Sequence, residues 1–263
     1  MSETTLLIEQ DKHVATLWLN RPAVNNAFNA TMIEELLHAL DTLAHHPELR
    51  LLLLRAKGKH FSAGADLQWM KAAAQLDYQD NLKDAQQLGK LMHRLASFPT
   101  PTLAVVQGAA FGGALGLISC CDMAIATKEA IFSLSEVRLG IAPAVISPYV
   151  VHAMGARAAR RYALSGERFD AFTAMKHGLL AELYPANELD AAVSQWVHTF
   201  MLNGPNAMRA TKALLQEIDS HLPSTDVRAQ TENTIATLRI SEEGQVGLRT
   251  FFDKTTPPWQ EEK

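Results

Sequence analysis

Cysteine is almost absent: the 263 residues hold two, Cys120 and Cys121, adjacent within an apolar stretch. Neighbours on a helix point in different directions, so no disulfide between them is expected. Both read as small buried hydrophobes of a reducing compartment. No CxxC spacing occurs and the ten histidines are scattered, so no metal site is expected. No apolar run has the length of a membrane span. The first residues, MSETTLLIEQDKH, lack a basic segment followed by an apolar core, so no signal peptide is expected and the reading is cytoplasmic. Nor is there a basic excess. The formal net charge is −4, which gives no electrostatic footprint for nucleic acid. Internal repeats and low-complexity tracts are missing too.

What remains is the composition of a globular chain, 48% apolar and 20% charged, long enough to bury a full core. Leu6–Glu9 and Val14–Leu19 read as strands joined by a turn at Asp11 and Lys12. Thr31 with Glu34 fits a capping box. Ile33, Leu36, Leu37, Leu40 and Leu43 then recur at helical spacing. Leu51–Leu54 is continuously apolar, as in a strand covered on both faces. Residues 67–96 are mostly helical in pattern, ended by Pro99 and Pro101. Two more strands are expected at Leu103–Val106 and Met123–Ala126, with a buried helix over residues 114–121 between them. Gly155, Gly166 and Gly178 suit helix C-caps, and Leu179–Leu183 suits a last short strand. Beyond Glu188 only helical patterns remain, at residues 189–201, 207–220, 226–238 and 242–253. Alternating strands and helices imply crossover units of the α/β class with largely parallel strands. The switch near residue 200 divides the chain into a mixed part, 1–200, and a helical part, 201–263.

Two strand-to-helix turns carry glycine among small residues. One is Gly58–Met70, GKHFSAGADLQWM. The other lies in Val106–Glu136, where Gly108, Gly112 and Gly113 precede an apolar helix and Glu136 follows. Each turn could offer one backbone N–H to the same carbonyl oxygen, the minimum for an oxyanion hole, with a carboxylate beside it to move protons. The plainer alternative is a pair of tight turns, a packing helix and a surface glutamate.

Four segments then carry a resemblance: LNRPAVNNAFN at Leu19–Asn29, FSAGADL at Phe61–Leu67, GAAFGGALGL at Gly108–Leu117 and FSLSEVRLGIAP at Phe132–Pro143. In that order and spacing the chain resembles, along essentially its whole length, the enoyl-CoA hydratase/isomerase (crotonase) family. The resemblance implies a spiral of ββα turns and a C-terminal helical region that assembles a homotrimer, often a dimer of trimers. It implies an acyl thioester of coenzyme A as substrate, with no separate cofactor. It implies that the N–H groups of Ala65 and Gly113 hold the thioester oxygen and that Glu136 is the acid–base group. Ala63, Gly64, Asp66, Leu67 and Gly112 would line the substrate path. Lys254 could reach a CoA phosphate, though a solvated tail lysine is an equal reading.

The chain departs from the family at Gly116, where hydratases often carry the first of two glutamates. A glycine there suggests open space for a branched acyl group or its second carboxylate. An isomerase that uses Glu136 alone is the first alternative, and a catalytically weak acyl-CoA binding protein the second. The stretches SEVRLGIAPAVISPYVV and GARAARRYALSGERFDA resemble the bacterial branch that hydrates 3-methylglutaconyl-CoA or isohexenylglutaconyl-CoA. Arg138, if its segment is extended, would lie on the face of Glu136 and could grip a carboxylate; a structural ion pair is the competing reading. Ser147 and Tyr149 fall where the family usually has a glycine-rich turn, so the acyl pocket should be reshaped. Trp69 and Met70 could wall that pocket or simply be core.

Overall fold

The structure, a computed structural model, describes residues 4–73, 75–220, 237 and 241–260. The chain divides into two compact units, residues 1–98 with 102–193, and residues 99–101 with 194–263.

In the first unit, β1 (Leu6–Asp11) and β2 (Val14–Leu19) form an antiparallel hairpin, and Lys12 turns it in the left-handed region at φ 47°. Then come α1 (Ala30–Ala44), β3 (Leu51–Ala56), α2 (Leu67–Ala73), α3 (Tyr78–Ala96), β4 (Thr102–Val106), β5 (Ala109–Phe111), α4 (Gly113–Cys120), β6 (Met123–Thr127) and β7 (Ile131–Ser133). A 3-10 turn over Glu136–Leu139 leads to α5 (Ser147–Met154), α6 (Ala156–Ser165), β8 (Arg168–Asp170), α7 (Ala171–Lys176) and β9 (Glu182–Tyr184). The main sheet has the order β1-β2-β3-β4-β6-β9, and every pair after the hairpin is parallel. Residues Leu51–Leu54 are buried on both faces, which explains their unbroken apolar run.

A second sheet, β5-β7-β8, was not legible in the sequence. Its strands are three residues each, too short for a period-2 pattern to register. Three further expectations change. The cap of α1 is Asn29, whose side chain accepts from Met32 N; Thr31 lies inside the helix. Asn29 has the extended backbone a cap needs, at φ −132° and ψ 174°. The long helix over 67–96 is two, because Asp77 starts α3 by accepting from Asp80 N. The last strand begins at Glu182, later than expected.

The second unit holds the end of α8 (Leu189–Met201), with α9 (Pro205–Ser220) and α10 (Glu242–Asp253). Glu243 accepts from Asn206 N and Ala207 N, so a carboxylate answers the free N–H groups that open α9. Lys212 donates to Thr100 O at 3.1 Å. The helix expected over 226–238 lies outside the described residues apart from residue 237.

Candidate active site

Strand β5 assembles the site. On one side it meets the first glycine turn: Ser62 bridges Ala110, Ser62 N donates to Ala109 O and Phe111 N donates to Ser62 O. On the other side it pairs in parallel with β7, which ends three residues before Glu136. Gly112 N donates to Ser133 O at 2.9 Å and fastens the second turn to that strand. Three segments far apart in sequence therefore arrive at one place.

The first turn is extended. Ser62, Gly64 and Asp66 are buried, while Ala63, Ala65 and Leu67 are exposed, so the alternation presents the latter three to the open side. Ala65 pairs with Phe28 through a parallel bridge. Its bonds are Phe28 N to Gly64 O at 2.7 Å and Asp66 N to Phe28 O at 2.8 Å. A parallel bridge uses the groups on either side of the paired residue, so the N–H of Ala65 points away from Phe28 and is left free. Gly113 begins α4, where the first N–H groups have no intrahelical acceptor. Gly112 before it has φ 55° and ψ −124°, a backbone that L side chains rarely adopt.

The turns are in contact. A Cβ built on Gly64 would lie 2.9 Å from Phe111 O, and one built on Gly112 would lie 4.0 Å from Gly64 Cα and 3.2 Å from Glu136 Oε1. Glu136 thus borders the residue that precedes the Gly113 N–H. Its Oε2 is buried without a hydrogen-bond partner. Burial pushes its carboxyl above the usual glutamate range. Two free backbone donors and a poised carboxyl can stabilise an oxygen that gains negative charge and move one proton next to it.

Comparison with known proteins matches residues 9–262 to the enoyl-CoA hydratase/isomerase family model. The chain belongs to the enoyl-CoA hydratase/isomerase family. The 2,3-dehydroadipyl-CoA hydratase of Escherichia coli is 30% identical over 261 residues, 99% of each chain. A trans-2-decenoyl-[acyl-carrier-protein] isomerase of Streptococcus mutans is 27% identical over 96% of each chain. The crystal structure of an enoyl-CoA hydratase from Shewanella pealeana superposes with a TM-score of 0.93 at 46% identity, covering 97% of this chain and 96% of that one. The fold is the family's mixed α/β crotonase fold with a helical C-terminal region, and the chain is an enoyl-CoA hydratase-type enzyme.

The first crotonase turn is held by Arg21 and Asn26, to which sequence reasoning gave no role, and by Asp66, which it placed on the substrate path. Arg21 donates Nη1 to Asp66 Oδ2 at 2.9 Å and to Ala27 O at 2.6 Å. Asp66 Oδ1 accepts from Gln68 N and Trp69 N at the start of α2. Burial raises the Asp66 carboxyl, but the Arg21 and backbone hydrogen bonds outweigh it and hold the group below the usual aspartate range. Asn26, with φ 53°, donates to Lys57 O and His60 O and accepts from Arg21 N. The motif LNRPAVNNAFN is thus a brace for the first turn. Its signal was the pair of asparagines, which tolerate the left-handed conformation found at Asn25 and Asn26. Ala109 N donates to His60 Nδ1, which gives that histidine a structural part.

Two readings of site residues are corrected. Gly116 is buried, and the space beside it is already filled. A Cβ built there would overlap Ile146 Cγ2, and would lie 2.9 Å from Ile146 Cβ and 3.0 Å from Met92 Sδ. The glycine accommodates a protein side chain, not open room for substrate. Arg138 lies in a 3-10 turn, not an extended segment, so it does not share a face with Glu136. Its Nε and Cγ lie against Gly166 instead. Ser147 donates to Ala144 O, and Trp69 Nε1 donates to Asp84 Oδ2 at 3.0 Å, tying α2 to α3. Lys254, in the second unit, is exposed with φ 55°.

Proposed function

We propose that the enzyme adds water across the α,β double bond of a branched enoyl-CoA of the glutaconyl type, such as 3-methylglutaconyl-CoA or isohexenylglutaconyl-CoA. The observation that carries this reading is the meeting of two free backbone donors, at Ala65 and Gly113, with the carboxyl of Glu136, whose buried Oε2 has no hydrogen-bond partner. The thioester oxygen accepts from both N–H groups. Glu136 takes a proton from water as the water oxygen bonds the β carbon. The electron pair of the double bond moves onto the thioester as an enolate. Glu136 then returns the proton to the α carbon. Each donor contributes roughly 2.7–4 kcal/mol toward holding the developing charge. Coenzyme A enters as part of the substrate, so no separate cofactor takes part. The working assembly in this reading is a homotrimer or a dimer of trimers.

This reading assigns the acyl group to a cavity of about 290 Å³ lined by Leu134, Pro143, Ile146, Val150 and Ala163, with the exposed Arg160 on its wall; Leu134 lies two residues before Glu136 in the chain. Apolar walls suit a branch, and a guanidinium suits a second carboxylate. The Escherichia coli relative is named for a dehydroadipyl thioester, which also carries a second carboxylate. Isomerisation is the second reading, favoured by the single carboxyl and by the Streptococcus mutans relative's name.

Incubation of the purified enzyme with 3-methylglutaconyl-CoA, crotonyl-CoA and a 3-enoyl-CoA, with products read by mass, tests both. Gain of one water on the first alone is the expected result. Unchanged mass with a shifted double bond on the third overturns hydration in favour of isomerisation. Binding without turnover of any of the three would leave only an acyl-CoA binding protein.

A further inference from the structure

We propose that Ile146 is a specificity-determining residue: its side chain plugs the notch at Gly116 and forms the apolar wall against which a branch at the β carbon packs. The inference rests on the thioester lying at Gly113, as in the proposed function, and names the residue that selects among its substrates.

Three observations converge on Ile146. It is 2% exposed, so the protein holds it in place. It occupies the space at Gly116 so closely that even a methyl group there would overlap it. It also lines the cavity with Leu134, Pro143 and Val150. Gly116 lies three residues beyond Gly113 on α4, roughly 4.5 Å along the helix. The notch therefore lies within about one helical turn of the donor that holds the thioester oxygen.

The chemistry of the wall follows from its atoms. Ile146 Cγ2 and Met92 Sδ face the notch; the sulfur accepts from Cys120 Sγ, and neither atom offers a charge or a hydrogen-bond donor. A carboxylate placed there would be desolvated without a partner, which is costly. The plug therefore excludes a second acidic side chain from the neighbourhood of Glu136. It leaves proton transfer to one carboxyl, and it offers a methyl or alkyl branch a surface to bury. Ser147 Oγ, which follows Ile146, donates to Ala144 O, so the turn that carries the plug is fastened within itself.

Two measurements test this. The first is the thermal midpoint of Gly116→Ala, Ile146→Ala and the double variant. Gly116→Ala should destabilise by overpacking, and the double variant should melt no lower than Ile146→Ala alone, because emptying the notch admits the methyl. Penalties that simply add would overturn the plug. The second is calorimetric binding of two saturated thioesters, 3-methylbutyryl-CoA and butyryl-CoA. Wild type should prefer the branched one by about fourfold, the burial of one methyl group. Ile146→Ala should lose that preference and Ile146→Val should keep part of it. A preference unchanged in both variants would overturn the wall. Ile146→Val retains the branched side chain, so the test stands even where the alanine variant does not fold. Binding needs no turnover. If wild type hydrates none of the enoyl thioesters, the proposed function fails while the ratio still reports on Ile146.

Discussion

Replacing Arg21 by methionine keeps an unbranched apolar stem but removes both bonds that its guanidinium makes to the first glycine turn. Asp66 loses the partner 2.9 Å away, and Ala27 O loses a donor. The two side chains are only 20% and 10% exposed, so water cannot fully replace the lost partner. Breaking a buried pair from one side costs about 3–5 kcal/mol. Asp66 keeps the backbone donors Gln68 N and Trp69 N, which argues for the lower end. A loss of about 3 kcal/mol lowers the melting midpoint by roughly 6–12 °C in a chain of this size. The catalytic effect comes through position. Asp66 N and Gly64 O are the two bonds that aim the Ala65 N–H, and both belong to the braced turn. A shift of the order of 1 Å in that donor can cost up to about 10²-fold in rate, so kcat should fall more than KM rises.

Scanning calorimetry with steady-state kinetics on Arg21→Met, Asp66→Asn and the double variant decides the matter. The double variant should lose less than the sum of the singles, because neither charge is left unpaired. The sign with pH is fixed as well. The Asp66 carboxyl is held below its ordinary range, so its ion pair contributes fully above that range and is lost as pH falls through the folded value. The gap between wild type and Arg21→Met should therefore narrow in strong acid. A midpoint within 2 °C of wild type with unchanged kcat, or strictly additive singles, would refute the brace.

Glu136→Gln should abolish turnover while thioester binding persists. Removing a general acid–base group typically costs about 10²–10⁴-fold. Because burial raises the Glu136 carboxyl, wild type loses stability as pH climbs from the ordinary glutamate range through the folded value. The variant should gain on wild type above that window and match it below; the same gap at pH 4 and pH 8 would contradict the sign. For the same reason the acid limb of the wild-type kcat/KM profile should lie above the ordinary glutamate range, and a limb at or below that range would contradict burial as the cause. Gly64→Ala adds a Cβ 2.9 Å from Phe111 O at φ 92°, so it should part the two turns and cost about 10²-fold in kcat. Gly155→Ala is the control: φ is 76° but nothing lies within 4 Å, so it should cost about 1–3 kcal/mol of stability with kcat unchanged.

The contrast between Glu136 and Gly116 shows what a sequence can and cannot convey about such a site. The main sheet was legible because Leu51–Leu54 and Leu103–Val106 are buried on both faces, and burial writes itself into composition. The two glycine turns were legible because their backbone approach excludes side chains, and Gly64 and Gly112 do meet. The second sheet was not, because β5, β7 and β8 derive their pairing from distant partners and carry no period of their own. Gly116 lies between these cases. Its small size was visible, but two opposite arrangements leave the same mark: space kept for a ligand, or space taken by another side chain. Only the contact with Ile146, thirty positions downstream, separates them. That contact also bears on the chemistry. A site with room at 116 could recruit a second acid by one substitution. A plugged site cannot, because an added carboxylate must first displace a buried isoleucine, and truncating Ile146 to open the notch costs roughly 2–5 kcal/mol. The step to a two-carboxylate site therefore passes through a destabilised intermediate, and single replacements at 116 should lower the melting midpoint before they give a new activity.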